Sequence, residues 1–227
     1  VPLINIDHHV TNEGYGTVSL VDASASSTAE VVLRLLDHME VEVDAQAAMC
    51  LLTGIVTDTR GFRTNTVTLQ TMAAAVRLIR AGASLTTIAR EALDRRSVGA
   101  IRLWGSALSA ARVEGRVIWT AIPLEMSRQA GFASGGDAGL ASYLAGAEET
   151  DGAAVFVEQA VNWIDVGLRA SPGFDVSGIA LRFGGGGHAL AAGCTQRGPL
   201  DDVVGRVLPE LQEELARQRE NGAGRDP

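Results

Sequence analysis

Two short apolar runs, VPLINID (1–7) and TVSLVD (17–22), precede a succession of helical patterns, and this order restricts the fold more than any other feature. The first run reads as a buried strand ending at Asp7, the second as another short strand. In SSTAEVVLRLLDHM the residues Val31, Val32, Leu35, Leu36 and Met39 recur at helical spacing, with Ser26 or Ser27 as N-cap. Glu30, three residues after Ser27, completes the pattern of a capping box. VDAQAAMCLLTGIV predicts a second helix, capped by Asp44 and broken near Gly54; TVTLQTMAAAVRLIRAGAS predicts a third, stopped by Gly82; SLTTIAREAL predicts a short fourth. Strands alternating with helices require a layered α/β domain, placed over residues 1–96.

A helical stretch over 97–112, SVGAIRLWGSALSAAR, is expected to connect this domain to the next. Beyond it GRVIWTAIP, AAVFVEQA and NWIDVGLRAS are strand-like, GDAGLASYLAGA is helix-like, and DVSGIALRF leads into a glycine cluster. These define a second, smaller α/β domain over 113–219, followed by a frayed tail over 220–227. With 227 residues, two domains of ordinary size are what the length allows.

Composition narrows the partners. The formal net charge is −8, and every one of the 19 basic residues is arginine. A protein gripping long duplex DNA through its phosphates carries a basic face, so long duplex DNA is not an expected partner and a small nucleotide is. No apolar run approaches the roughly 18–20 residues of a membrane span, and no charged-then-apolar leader is evident, so neither membrane nor secretion is expected. Cys50 and Cys194 lie far apart and fit no paired framework, which favours a reducing cytoplasm.

Three stretches carry the chemistry. In NIDHHV (5–10) an acid and two adjacent histidines end a strand, the edge at which open α/β sheets bind ligands. Neighbours on an extended chain face opposite ways, so His8 and His9 are not expected to bind one metal together; one suits a metal, the other a substrate phosphate. A strand end with capping polar groups is an equal reading of the tripeptide alone. In LLTGIVTDTRGFRTNT (51–66) Asp58 stands between two threonines as a candidate oxygen ligand, although by itself a turn residue or helix cap is the better reading. In RFGGGGHALAAGC (182–194), Gly184, Gly185, Gly186 and Gly187 allow backbone amides to approach an anion. HALAA is expected to open a helix there, placing His188 beside a bound phosphate. A purely structural glycine loop is the alternative. Arg169, at the end of a strand-like run, has the forked donors that phosphate recognition uses.

Taken in order, IDHH, VDASASSTAEVVLRLL, LLTGIVTDTRGFRTNT and LRAS…DVSGIALRFGGGGHALAAG resemble the DHH phosphoesterase family, in its nano-RNase and pAp-phosphatase branch. The resemblance spans nearly the whole chain. It implies a Rossmann-like DHH domain followed by a DHH-associated domain, and a phosphoesterase using two Mn²⁺ ions. It implies His8 and Asp58 as metal ligands, Asp7 orienting the histidine pair, and His9 on the scissile phosphate. Arg169 and Gly184 to His188 would hold the substrate's terminal phosphate or nucleotide. Imidazole mixed with carboxylate suits manganese better than magnesium. The implied substrates are short RNA oligonucleotides and pAp; the alternatives are cyclic di-AMP or pApA, and the resemblance leaves a homodimer open.

The chain departs from the family at its start. Family members carry a His-x-x-x-Asp-x-Asp motif and a further Asp before the DHH, and neither precedes Asp7 here. The first residue is Val1 rather than Met, so a piece of a longer protein is expected. His8 and Asp58 cannot by themselves fill two coordination shells, so weak metal binding and slow or absent turnover are expected of this piece. Nucleotide binding without hydrolysis is the corresponding alternative.

Overall fold

The computed structural model describes residues 1–9, 12–133 and 135–222. It divides into two compact units, Val1–Arg95 and Arg96–Pro227.

In the first unit, β1 (Ile4–Asp7) pairs in parallel with β2 (Val18–Val21), aligning Asp7 with Val21. The helices are α1 (Thr28–His38), α2 (Ala45–Asp58), α3 (Leu69–Arg80) and α4 (Leu85–Ile88), and α4 runs into a π-helical turn at Ala89–Asp94. Leu33, Leu52, Ile55, Val56, Leu78 and Ile88 form the core among these helices. β1 is not the buried strand its composition suggests. Only Asn5 is buried, while Ile4 is 66% exposed, because β1 pairs with β2 alone and has α1 against it.

The capping residues of α1 and α2 are as their types dictate: Ser27 accepts from the Glu30 amide and Asp44 from the Ala47 amide. The reciprocal half of the box differs. Glu30 is buried and its Oε2 accepts from the Ser26 amide (3.1 Å), Ser26 Oγ (2.7 Å) and Thr71 Oγ1 (3.0 Å), tying the α1 entry to α3 rather than returning to Ser27. Nor does Gly54 break α2. A Cβ there would lie 2.7 Å from the Ala29 Cβ, so the glycine permits close approach of α1 and α2 and the helix continues to Asp58.

In the second unit α5 (Val98–Ser109) is no connector. Leu103 and Ala107 lie in a core shared with α6 (Leu124–Ala130), α7 (Leu140–Leu144) and one sheet face, so the division falls before it, and this unit is the larger of the two. The sheet comprises β3 (Arg112–Glu114), β4 (Val117–Ile122), β5 (Gly152–Ala160), β6 (Trp163–Ala170), β7 (Gly186–His188) and β8 (Ala191–Arg197), in the order β3-β4-β5-β6-β8-β7. Only β4 and β5 run parallel. The other face buries Phe156, Ile164, Val166 and Leu168 against α8 (Ser177–Arg182) and α9 (Leu200–Glu220), where Val207, Leu211 and Leu215 recur at helical spacing. Asp151, 2% exposed, fastens α9: it accepts from Arg219 Nε at 2.7 Å and from Arg116 Nε at 3.1 Å.

The expected helix at HALAA is absent. His188 ends β7, which folds back antiparallel on β8. A Cβ on Gly185 would meet Gly193 O at 2.1 Å, and one on Gly187 would meet Ala191 O at 2.5 Å. These glycines bring two backbones together where no side chain fits. The expected tail starts at the last residue of α9, Glu220, and lies outside the described residues from 223 onward, as does Val10 of the NIDHHV stretch. Among the described residues no single helix is long and apolar enough to cross a membrane.

Candidate active site

The first unit assembles its polar cluster where β1 ends. Asp7 Oδ1 accepts from the His8 amide at 2.7 Å, the His9 amide at 3.3 Å and the His9 ring Nδ1 at 2.7 Å. Its Oδ2 accepts from Asn12 Nδ2 at 2.6 Å. The His9 ring, then Asn12, then the two backbone amides hold the Asp7 carboxyl well below the usual carboxylate range, against a smaller opposing effect of burial.

This turn also corrects the expectation of opposed histidines. The chain leaves the extended conformation after Asp7, because that carboxylate gathers both following amides. The His8 and His9 rings consequently stand edge to face, their centroids 4.5 Å apart. Asp7, His8 and His9 each offer a ligand atom within 4.8 Å of the others. Asp7 orients the His9 ring, whereas the His8 ring is oriented by a different group: its Nδ1 lies 3.3 Å from the Ala25 carbonyl oxygen. An N–H donated there leaves the Nε2 lone pair on the side of Asp58, whose Oδ2 is 3.7 Å away. Two donors about 2.1 Å from a common cation stand roughly 3.0–3.6 Å apart. The pair is slightly wider than that, so the donor chemistry suits a divalent ion and a small closing movement would let both groups reach it.

Asp58 occupies the last position of α2, where the helix dipole is unfavourable to a carboxylate and a nearby cation compensates. The turn after it is conformationally costly. Gly61 N donates to Val56 O at 2.7 Å and Arg60 N to Thr57 O at 3.0 Å, the pair of bonds of a Schellman motif. The position that motif reserves for glycine holds Arg60, at φ 51°, and Gly61 and Phe62 follow at φ 76° and 63°. Strain of this kind collects at functional sites. The sequence reading missed the Ala25 carbonyl and Asn12, and gave Glu30 only a capping role. Asn12, five residues beyond an acid, was the one signal a sequence offers; a carbonyl acceptor offers none.

In the second unit Arg169, Gly184 and Gly185 line one cavity of about 480 Å³, together with Asp137, Asp165, Gly167, Gly193, Cys194 and Thr195. Gly186, Gly187 and His188 are not among its lining residues. Arg169 is held in place: Nε donates to Ser142 Oγ at 3.0 Å and Nη1 to Leu168 O at 2.8 Å. Asp137 is occupied as a cap, accepting from the Gly139 and Ala141 amides. Burial pushes the Cys194 thiol up, so it is not a poised nucleophile. Asp165 and Thr195 were missed; an acid alternating with apolar residues in NWIDVG was the available signal.

Fold and site together define a class: a mixed α/β chain with Asp-His-His at a strand end and an aspartate facing the first histidine. These features agree with the resemblance to the DHH phosphoesterase family. No family model matches it. Over 95% of its length it is 36% identical to the bifunctional oligoribonuclease and PAP phosphatase NrnA of Thermus thermophilus. It is 29% identical, over 92% of its length, to the NrnA of Bacillus subtilis. Among solved structures it is similar to an exopolyphosphatase-related protein from Bacteroides fragilis, with a TM-score of 0.83, 25% identity and 94% of this chain covered. The chain spans 65% of the length of the Thermus relative and 65% of the Bacteroides chain.

Proposed function

We propose that the intact protein is a Mn²⁺-dependent phosphoesterase that degrades short oligoribonucleotides and removes the 3′-phosphate of pAp. The observation that carries this reading is the His8–Asp58 pair, 3.7 Å apart, beside the Asp7–His9 pair. The names of the Thermus and Bacillus relatives support the substrates.

His8 Nε2 and the Asp58 carboxylate would hold the ion, and imidazole with carboxylate is a donor set that suits manganese. When bound, such an ion acidifies a water and neutralises charge on a phosphate oxygen. The chain's own groups position the substrate. Asp7 fixes the His9 ring through Nδ1, and a bond from the ring's other nitrogen to a phosphate oxygen requires a proton on both nitrogens. Arg169 supplies a guanidinium, pre-oriented by Ser142, for a second phosphate.

The test is an assay of the intact protein with pAp and a diribonucleotide, with Mn²⁺ and again after chelation. Release of phosphate and of mononucleotide, abolished by chelation, is expected; no release from either substrate in Mn²⁺ overturns the reading. The Arg169 cavity favours one second reading, nucleotide binding without hydrolysis. It gains if pAp binds this chain with an affinity indifferent to Mn²⁺ and chelator.

A further inference from the structure

Three cross-strand pairs lie side by side on one face of β6 and β8: Arg169 opposite Ala191, Gly167 opposite Gly193, and Asp165 opposite Thr195. Residues two apart on a strand share a face, so Arg169, Gly167 and Asp165 form a single row. β5 continues the register, with Val155 opposite Gly167 and Val157 opposite Asp165. The middle of the row has no side chains, and a Cβ on Gly193 would meet Val166 O at 2.8 Å. All of these except Ala191 line the same cavity, and Ala141 of α7 flanks it at Gly167, where a Cβ would meet its Cβ at 3.6 Å. The result is a flat glycine floor with a cation at one end and a carboxylate at the other.

From this arrangement we infer that Asp165 reads the nucleobase, selecting bases that present an amino group. The inference rests on the reading above that Arg169 takes a phosphate. A strand rise of about 3.3 Å per residue sets Arg169 and Asp165 roughly 13 Å apart along β6, the reach of a mononucleotide from phosphate to base edge with a hydrogen bond at each end. Ala141 leaves room for little more than a methyl group at Gly167, so the ring is seated over Gly193, beside Asp165 and Thr195. Asp165 Oδ1 accepts from Thr195 Oγ1 at 2.8 Å, which fixes the carboxylate and leaves Oδ2 without a hydrogen-bond partner among the described residues. An ionised carboxylate only accepts hydrogen bonds. It therefore pairs with the amino group of adenine or cytosine, and it repels the carbonyl oxygen that hypoxanthine or uracil places there. The second acid of the cavity, Asp137, cannot take this part, since both of its oxygens hold backbone amides.

The experiment is titration of the chain with adenosine 3′,5′-bisphosphate and inosine 3′,5′-bisphosphate, in which a carbonyl replaces the amino group and N1 gains a proton. The adenosine compound is expected to bind about 10-fold or more tightly, since an unmatched polar pair is costly. In Asp165→Asn, whose amide also donates, the ratio is expected to collapse or invert, whereas Arg169→Ala weakens both ligands alike. Thr195→Val keeps the carboxylate but removes its anchor; it lowers the ratio in the same direction and serves if Asp165→Asn does not fold. Equal binding of both ligands by the unmodified chain overturns the base-reading role alone, as does a ratio unchanged in the folded Asp165 and Thr195 variants. Binding of neither ligand overturns both this inference and the assignment of Arg169 to phosphate.

Discussion

His8 Nε2 faces Asp58 Oδ2 across 3.7 Å while His8 Nδ1 engages the Ala25 carbonyl oxygen at 3.3 Å. The Ala25 contact takes an N–H from Nδ1, which turns Nε2 toward Asp58 and toward any cation held between them. Replacing Asp58 with Asn keeps the shape and removes the charge. Mn²⁺ affinity of the intact protein, read by titration, is expected to fall at least about 100-fold, beyond the 10–100-fold typical of losing a group that merely supports a ligand. Unchanged affinity would remove Asp58 from the ligand set.

Glu30 connects stability to that site. Its carboxylate, 4% exposed, receives the Ser26 amide, the Ser26 hydroxyl and the Thr71 hydroxyl, and so pins the segment that presents the Ala25 carbonyl to His8. All three donors share Oε2, an oxygen that glutamine could still supply, so the informative change is Glu30→Leu, which keeps the bulk and removes the acceptor. A loss of about 1–3 kcal/mol is expected in urea denaturation of the first unit, with weaker Mn²⁺ binding. A variant as stable as the parent would show that the three bonds are not jointly required.

Arg60 makes the opposite kind of prediction. It holds the left-handed position of the α2 Schellman motif, which costs a non-glycine residue about 1 kcal/mol. Glycine removes the strain but loosens the unfolded chain, so Arg60→Gly is expected to gain roughly 0.5 kcal/mol net. A raised urea midpoint checks it. A lowered midpoint would mean that the arginine side chain contributes more than its backbone costs.

These residues also mark what a sequence can disclose. Ser27 and Asp44 were legible as caps because each acts on an amide three residues away, and α1, α2 and α3 followed from spacing. The DHH and TDT stretches stand out in the sequence as candidates, and the fold brings His8 and Asp58 together. The glycines misled. Gly54 reads as a helix break and the run 184–187 as an anion loop opening a helix, yet Gly54 makes room for Ala29 and Gly185 for Gly193. Local sequence cannot separate those uses, because the deciding atom belongs to a neighbour distant in the chain. Asp165 was hidden for the same reason, since its partner Thr195 lies 30 residues on.

Asp151 gives the acid limit of the second unit. Burial pushes its carboxyl up, but hydrogen bonds and charge from Arg219 and Arg116 outweigh that and hold it below the usual carboxylate range. A carboxyl whose pKa is lowered on folding adds stability that is complete above its unfolded value, near 3.9, and fades as pH drops from there toward the folded value. Asp151→Asn removes the ion pairs, and both arginines, already 44–45% exposed, can turn to water. The cost at pH 7 is therefore expected to be about 2–3 kcal/mol, short of the 3–5 kcal/mol for stranding a fully buried charge. The gap between parent and variant, measured by urea denaturation across pH, is expected to be constant above about pH 5 and to narrow below about pH 4. A gap that stayed constant into acid would show that the Asp151 carboxylate is not the group being lost.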